Sequence, residues 1–336
     1  MATIKEVAEA AGVSIATVSR MINQNGYVSN EAEKRIAAAM EQLAYESPLA
    51  RRLAGQNMPA IALMLPDITN PFFAELARAV EDTCQQQGCV VFFCNSDHQD
   101  FKEKSYLEVL RKRHIDGVIF ASNYLPQEEL NKLEQHRIPV VVLDRSSDTQ
   151  KCSLIRSNNY EGAQMAVKHL MDTGCRKIAH IYGPQEIATA KERMNGYEDY
   201  VKSFPWYTPS LMAPGMFLME GGIQAVDTLL HRHPDIDGIF AGNDLMAIGV
   251  LKALHRKGVR VPDDISVCGF DGIKLGEIIE PELTTIAQPI YEMGKCAANI
   301  LIKQIKSKND KALLEIIEMN VSLHIRDSTR KDSEEQ

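Results

Sequence analysis

The sequence predicts an α/β protein in which a small all-α N-terminal domain precedes a two-lobed body of doubly wound parallel sheets. Three observations carry that prediction. The opening stretch places its apolar residues at helical intervals, separated by capping residues and turn glycines. From residue 59 onward, continuous apolar runs of strand length alternate with helix-period segments: AIALML at 60, VVFFCN at 90, GVIFAS at 117, PVVVLD at 139, KIAHIY at 177, GIFAGN at 238 and ISVCGF at 265. Such runs suit parallel strands covered on both faces. Finally, HIDGVIFASN (114–123) is followed by IPVVVLDR (138–145) as DIDGIFAGND (235–244) is followed by ISVCGFDG (265–272), so one strand-helix-strand unit is used twice.

In the first domain, 1–46, Thr3-x-x-Glu6 has capping-box spacing, and Ile4, Val7, Ala8 and Ala11 recur at helical intervals. Gly12 and Val13 end that helix. Ser14 caps a second one in which Val18 and Ile22, one turn apart, face inward. Asn25-Gly26 is the next turn, and Asn30-x-x-Glu33 is expected to cap a third helix with Ile36, Met40 and Leu43 as its buried stripe. Helix, short turn, helix, loop, helix is the helix-turn-helix layout, whose second helix lies in the major groove of DNA.

The stretch TIKEVAEAAGVSIATVSRMIN, with the later LAGQ, closely resembles the N-terminal domain of the LacI/GalR repressor family. The resemblance puts Ile15, Ala16 and Arg20 at the base-reading positions and Thr17 and Ser19 near the phosphates. The chemistry agrees: Arg20 can pair bidentately with guanine, while Ile15 and Ala16 offer only apolar contact, for instance to a thymine methyl. Charge alone does not point to DNA. Residues 1–58 carry six basic and six acidic groups, which leaves a three-helix protein-interaction module as the bland alternative.

Residues 47–58 hold the expected hinge helix and linker. By the resemblance, SPLARRLA folds on DNA, with Leu53 wedged into the minor groove, Ala50 at a close dimer contact, and Arg51 and Arg52 near phosphates. A helix of this length is marginal alone, so its folding would be coupled to DNA and to a partner chain. The family usually writes Tyr-x-Pro-Asn here, whereas this chain has Tyr45-Glu-Ser-Pro48 and is one residue shorter before Leu53.

In the body, 59–328, polar groups stand at the carboxyl ends of the strands, where doubly wound lobes bind ligands. They are DITNPFF at 67–73, Asp144-Arg145, Arg193, Asn243-Asp244, Asp271 and Gln288. Asp67, Asn123 and Asp244 equally suit helix caps. The body resembles the periplasmic sugar-binding protein fold, and most of all ribose-binding proteins and ribose operon repressors, through its NPFF, LDR, GND, GFDG and TIAQ motifs. That resemblance assigns ligand contacts to Asn70, Phe72, Phe73, Asp144, Arg145, Arg193, Asn243, Asp271 and Gln288, with Phe217 as a third aromatic. Phenyl rings would stack on the sugar's C–H faces, while the polar groups bond its hydroxyls. Arg145 and Arg193 would also suit a sugar phosphate.

The chain, 336 residues with a net charge of −8, has no apolar run approaching the ~18 residues of a membrane span and no secretory pattern at its start. It is therefore expected in the cytoplasm, with no membrane partner. Its seven scattered cysteines read as reduced, mostly buried thiols, and its nine histidines show no metal-ligand spacing. No cofactor or metal is expected. A phosphate-binding glycine loop and a nucleophile elbow are also missing, which disfavours an enzyme. A transport sugar-binding protein would explain only the body and would need a secretion signal. The expected function is a repressor that binds a palindromic double-stranded operator as a homodimer and is released by a small sugar, with ribose first. A sugar-phosphate effector or a corepressor is the alternative. The final IRDSTRKDSEEQ reads as a charged, disordered tail, with the body ending at 328 and the tail proper at 329–336. EIIEMNVSLHI before it is expected to complete the body.

Overall fold

Helix α1 (Ile4–Ala11) buries Val7, Ala8 and Ala11, and Gly12 ends it in the left-handed conformation. The structure is a computed structural model that describes residues 4–23, 27–43, 58–112, 115–122, 127–144, 152–307 and 314–330. It divides into two compact units, Met1–Met58 and Pro59–Gln336.

In the first unit, α2 (Ile15–Asn23) starts where the Thr17 N–H donates to Ser14 Oγ at 3.1 Å. Helix α3 (Asn30–Gln42) differs from expectation at its start. Its cap is Ser29, whose Oγ accepts from the Ala32 N–H and whose carbonyl accepts from the Glu33 N–H. Ser29 holds the half-in position with its carbonyl already in the helix ladder, so the cap lies one residue before the Asn30 that the Asn30-x-x-Glu33 spacing suggests. Val7, Val18 and Ile36 are fully buried at the centre of the three helices, with Met40 and Leu43 packed at the edge. Thr3 and the expected hinge helix lie outside the described residues.

Among the described residues of the second unit, the strands form two six-stranded sheets. The first has the order β11-β5-β4-β3-β1-β2, with β1 at Ala60–Leu65, β2 at Val90–Asn95, β3 at Gly117–Phe120, β4 at Val140–Leu143, β5 at Ser153–Ser157 and β11 at Ile316–Met319. All its pairings are parallel. The second has the order β12-β10-β9-β8-β6-β7, with β6 at Ile178–Tyr182, β7 at Met212–Pro214, β8 at Gly238–Ala241, β9 at Ser266–Asp271, β10 at Thr284–Ala287 and β12 at Ser322–His324. Only β12 runs antiparallel, against β10. Helices cover both faces: α4 (Pro71–Gln87), α5 (Asp100–Lys112), α6 (Gln127–Gln135) and α11 (Ile290–Lys306) flank the first sheet, and α7 (Asn159–Asp172), α8 (Ala188–Val201), α9 (Met219–Arg232) and α10 (Asp244–Arg256) the second. No described helix is long and apolar enough to cross a membrane.

The seven apolar runs all become strands, whereas β5, β7 and β10 carry too few consecutive apolar residues to announce themselves. β2 departs from the expected burial on both faces. It is an edge strand, so Phe92 and Phe93 remain 52% and 51% exposed. EIIEMNVSLHI is split between the lobes, β11 joining the first sheet and β12 the second. Among the described residues the chain thus crosses three times, after β5, after β10 and between β11 and β12. Residues 325–330 do not form the expected disordered tail. Ser328 and Thr329 are buried: Ser328 Oγ donates to the Val267 carbonyl and accepts from the Thr284 N–H, and Thr329 Oγ1 meets His169 Nε2 at 2.9 Å. Hydroxyls that satisfy buried backbone groups leave no apolar period to read.

Candidate functional site

On α2, Ile15 (48% exposed), Ala16 and Arg20 face solvent, Thr17 and Ser19 are half-buried, and Val18 is enclosed in the core. The helix therefore presents on its free side the residues expected to meet base edges. Ala50, Arg51, Arg52 and Leu53 lie outside the described residues.

The body carries a cleft at the carboxyl ends of its strands. Asp67, Asn70, Phe72, Phe73, His98 and Asp144 line it from the first lobe, and Ile187, Thr189, Arg193, Met216, Phe217, Leu218, Asn243 and Asp271 from the second. Its empty space is about 540 Å³, solvent at the mouth included. Asn70 caps α4 by accepting from the Phe72 N–H, which sets Phe72 and Phe73 edge to face with ring centroids 5.1 Å apart. Asn243 caps α10 by accepting from the Met246 N–H, and its amide donates to the Phe217 carbonyl at 3.3 Å. Gly183 gives the Phe217 ring its seat, since a Cβ there would lie 2.4 Å from it.

Backbone strain gathers at this cleft. Of the seven described non-glycine residues with positive φ, five line it: His98, Asp144, Met216, Phe217 and Asp271. Such conformations persist only where surrounding structure over-determines them, and they mark ligand clamps and active sites.

Arg193, 3% exposed, is the electrostatic centre. Its Nε donates to Asn159 Oδ1 at 2.8 Å and its Nη1 to the Gly242 carbonyl at 2.7 Å and to Asp271 Oδ1 at 3.3 Å, while the guanidinium lies 3.8 Å from the Phe270 ring centroid. Gln288 is buried behind Asp271 and is not among the lining residues; its amide donates to Asp271 Oδ1 at 2.8 Å. Burial pushes the Asp271 carboxyl above its ordinary range, Arg193 draws it back and Asp144 pushes it up again. Asp244 is raised as well, by burial first and then by the charge of Asp271.

The helix-cap alternative for Asp67 and Asp244 does not hold. Asp67 Oδ1 accepts from the Thr69 N–H and hydroxyl, an Asx turn ahead of the true cap at Asn70. The Asp244 carboxylate turns inward to β9 and β10. Asn123 and Arg145 lie outside the described residues. Ile187, Thr189, His98, Met216 and Leu218 are not legible in the sequence as cleft residues, because each belongs to a loop or helix start without a strand-end polar motif.

Buried His180 is a packing residue. Its ring stacks on Tyr197 at 5.0 Å and Phe240 at 4.7 Å, its Nδ1 lies 2.9 Å from the Phe240 carbonyl, and burial pushes its pKa down to about 4. Six of the seven cysteines are buried. Among the described residues no three His, Cys, Asp or Glu side chains gather as a metal site.

Residues 3–47 match the bacterial regulatory proteins of the lacI family, and residues 58–324 match the periplasmic binding proteins and sugar binding domain of LacI family. The ribose operon repressor of Halalkalibacterium halodurans is 43% identical, with 92% of each chain aligned. A LacI family transcriptional regulator from Enterococcus faecium with bound ribose superposes with a TM-score of 0.74 at 32% identity, over 81% of this chain and 98% of that one. The lac repressor dimer bound to operator and the anti-inducer ONPF gives a TM-score of 0.73 at 26% identity, over 98% of this chain and 99% of that one.

Proposed function

We propose that this chain, which belongs to the LacI family of bacterial regulatory proteins, is a homodimeric repressor that holds a palindromic operator and lets it go when free ribose binds between the lobes. The cleft's chemistry carries this reading. Phe72, Phe73 and Phe217 offer apolar faces, and Asn70, Asp144, Arg193, Asn243 and Asp271 offer hydrogen-bonding groups around them, the combination a pentose with several hydroxyls requires. Arg145 belongs to the same proposed set, and Gln288 acts by holding Asp271.

The structure favours a neutral sugar over its phosphate. Arg193 is committed to Asp271, a carbonyl, Asn159 and Phe270, and the described lining adds the carboxyl groups of Asp67 and Asp144 to that of Asp271. A phosphate would meet like charge there, which costs affinity. The names of the relatives, ribose operon repressor and a regulator with bound ribose, agree.

On the DNA side, Arg20, Ile15 and Ala16 would read base edges, Thr17 and Ser19 would approach phosphates, and Ala50, Arg51, Arg52 and Leu53 would form the hinge contact. Ligand closure of the lobes alters the separation of the two DNA-reading units and so the operator affinity, a coupling typically of about 1 to 3 kcal/mol.

Titration calorimetry with D-ribose and with ribose 5-phosphate tests the effector. Saturable ribose binding is expected, falling at least about tenfold in Asp144→Ala as a charge-assisted hydrogen bond is lost. Adding ribose is expected to release a fluorescent operator duplex. Binding of the phosphate ester without binding of ribose would overturn the assignment.

A further inference from the structure

Asp271 meets the sugar in the proposed function, and the role assigned to its buried neighbour Asp244 rests on that reading. Asp271 ends β9 and Gly272 follows it, with φ of 122° and 79°, a pair of left-handed conformations that needs external support at the aspartate. One support is the Gln288 N–H, which donates to the Asp271 carbonyl at 3.0 Å. The other is Asp244. Its Oδ2 accepts the next two backbone N–H groups, Gly272 at 2.8 Å and Ile273 at 2.9 Å, and its Oδ1 accepts the Thr285 hydroxyl at 2.6 Å.

Neither helix capping nor ligand contact accounts for this carboxylate. Asn243 already caps α10, and Asp244 is fully buried and does not line the cleft. Among the described residues no cation pairs with it, although an enclosed carboxylate is costly to desolvate. Space is reserved for it nonetheless, since a Cβ at Gly269 would lie 2.2 Å from its Oδ1. We propose that Asp244 is a positioning residue, which holds the turn after Asp271 in its left-handed conformation and so keeps the Asp271 carboxylate in the cleft.

The test compares Asp244→Leu, similar in size but without an acceptor, with Asp244→Asn, whose carbonyl still accepts both N–H groups while its amide reaches Thr285 Oγ1. Each variant is made alone and in an Asp271→Asn background. Amide exchange at residues 272 and 273 in the sugar-free protein is expected to quicken at least about tenfold in Asp244→Leu and to stay near wild type in Asp244→Asn. Ribose affinity is expected to fall at least about tenfold in Asp244→Leu and to hold within about threefold in Asp244→Asn, and the leucine effect is expected to vanish when Asp271 is Asn. Unchanged exchange, or equal losses of affinity in both backgrounds, would overturn the proposal. Should the leucine variant not fold, Thr285→Val carries the same comparison with a loss of about threefold. A wild-type protein that binds no ribose refutes the functional reading, while the exchange experiment still decides the role of Asp244.

Discussion

Several polar side chains in the body line the cleft and serve the backbone together. Asn70 and Asn243 both line the cleft and cap helices, so their amide geometry is set by the helix before any sugar arrives. That preorganisation lowers the ordering cost of binding. His180 represents the opposite case, a titratable group spent wholly on packing between Tyr197 and Phe240. Because its folded pKa is lowered to about 4, the unfolded chain takes up the proton first as pH falls below the ordinary histidine value. Stability is therefore lost between pH ~6.5 and ~4, by up to about 3 kcal/mol from this residue. Urea unfolding across that window should show a shallower acid loss for His180→Phe than for wild type; parallel curves would remove His180 as the cause.

At the scale of elements, the N-terminal unit shows how narrow the margin of a short helix is. Three short helices share one small core of Val7, Val18 and Ile36 with their neighbours, so a terminal hydrogen bond is a sizeable part of the unit's stability. Ser29→Ala is expected to cost about 1 kcal/mol, read as a lower unfolding midpoint of this unit, whereas Asn30→Ala should cost less. Equal costs would return the cap to Asn30. In the body, α4 and α10 start at the cleft with side-chain caps that are themselves lining residues, while α8, which delivers Arg193, starts without a side-chain cap. Arg193 is held instead by its own bonds to Asn159, Asp271 and the Gly242 carbonyl.

At the scale of the whole molecule, three crossings among the described residues join the lobes, and the hydrogen-bond network at the cleft touches two of them. Asn159, which accepts from Arg193, lies just past the crossing after β5, and Gln288, which donates to Asp271, stands at the crossing after β10. A ligand that engages Asp271 and Arg193 is thereby linked to the segments about which the lobes can turn. The proposed homodimer belongs to this scale too. The edge strand β2 presents Phe92 and Phe93 half exposed, an apolar edge that a soluble monomer would be expected to blunt. If β2 takes part in the proposed homodimer, Phe93→Asp is expected to shift sedimentation from dimer toward monomer and to weaken operator binding; a variant that stays dimeric would exclude β2 from the interface.

The sequence by itself determined the fold class and those elements whose period is written locally: helical spacing in Ile4, Val7, Ala8 and Ala11, and unbroken apolar runs such as AIALML, arise from side chains that must face a core. It also marked Asp144, Asn243 and Asp271, polar groups conspicuous at the ends of apolar strands, while the family resemblance singled out Asn70, Phe72, Phe73 and Arg193. Only the tertiary structure decided which polar groups face the cleft and which stand behind it. Gln288 and Asp244 look like Asp271 in sequence, yet Gln288 donates to its carboxylate and Asp244 accepts from the two backbone N–H groups that follow it. The same holds for the division of residues 316–324 between two sheets and for the burial of Ser328 and Thr329. Each of these depends on hydrogen bonds between groups far apart in the chain, which leave no local period to read.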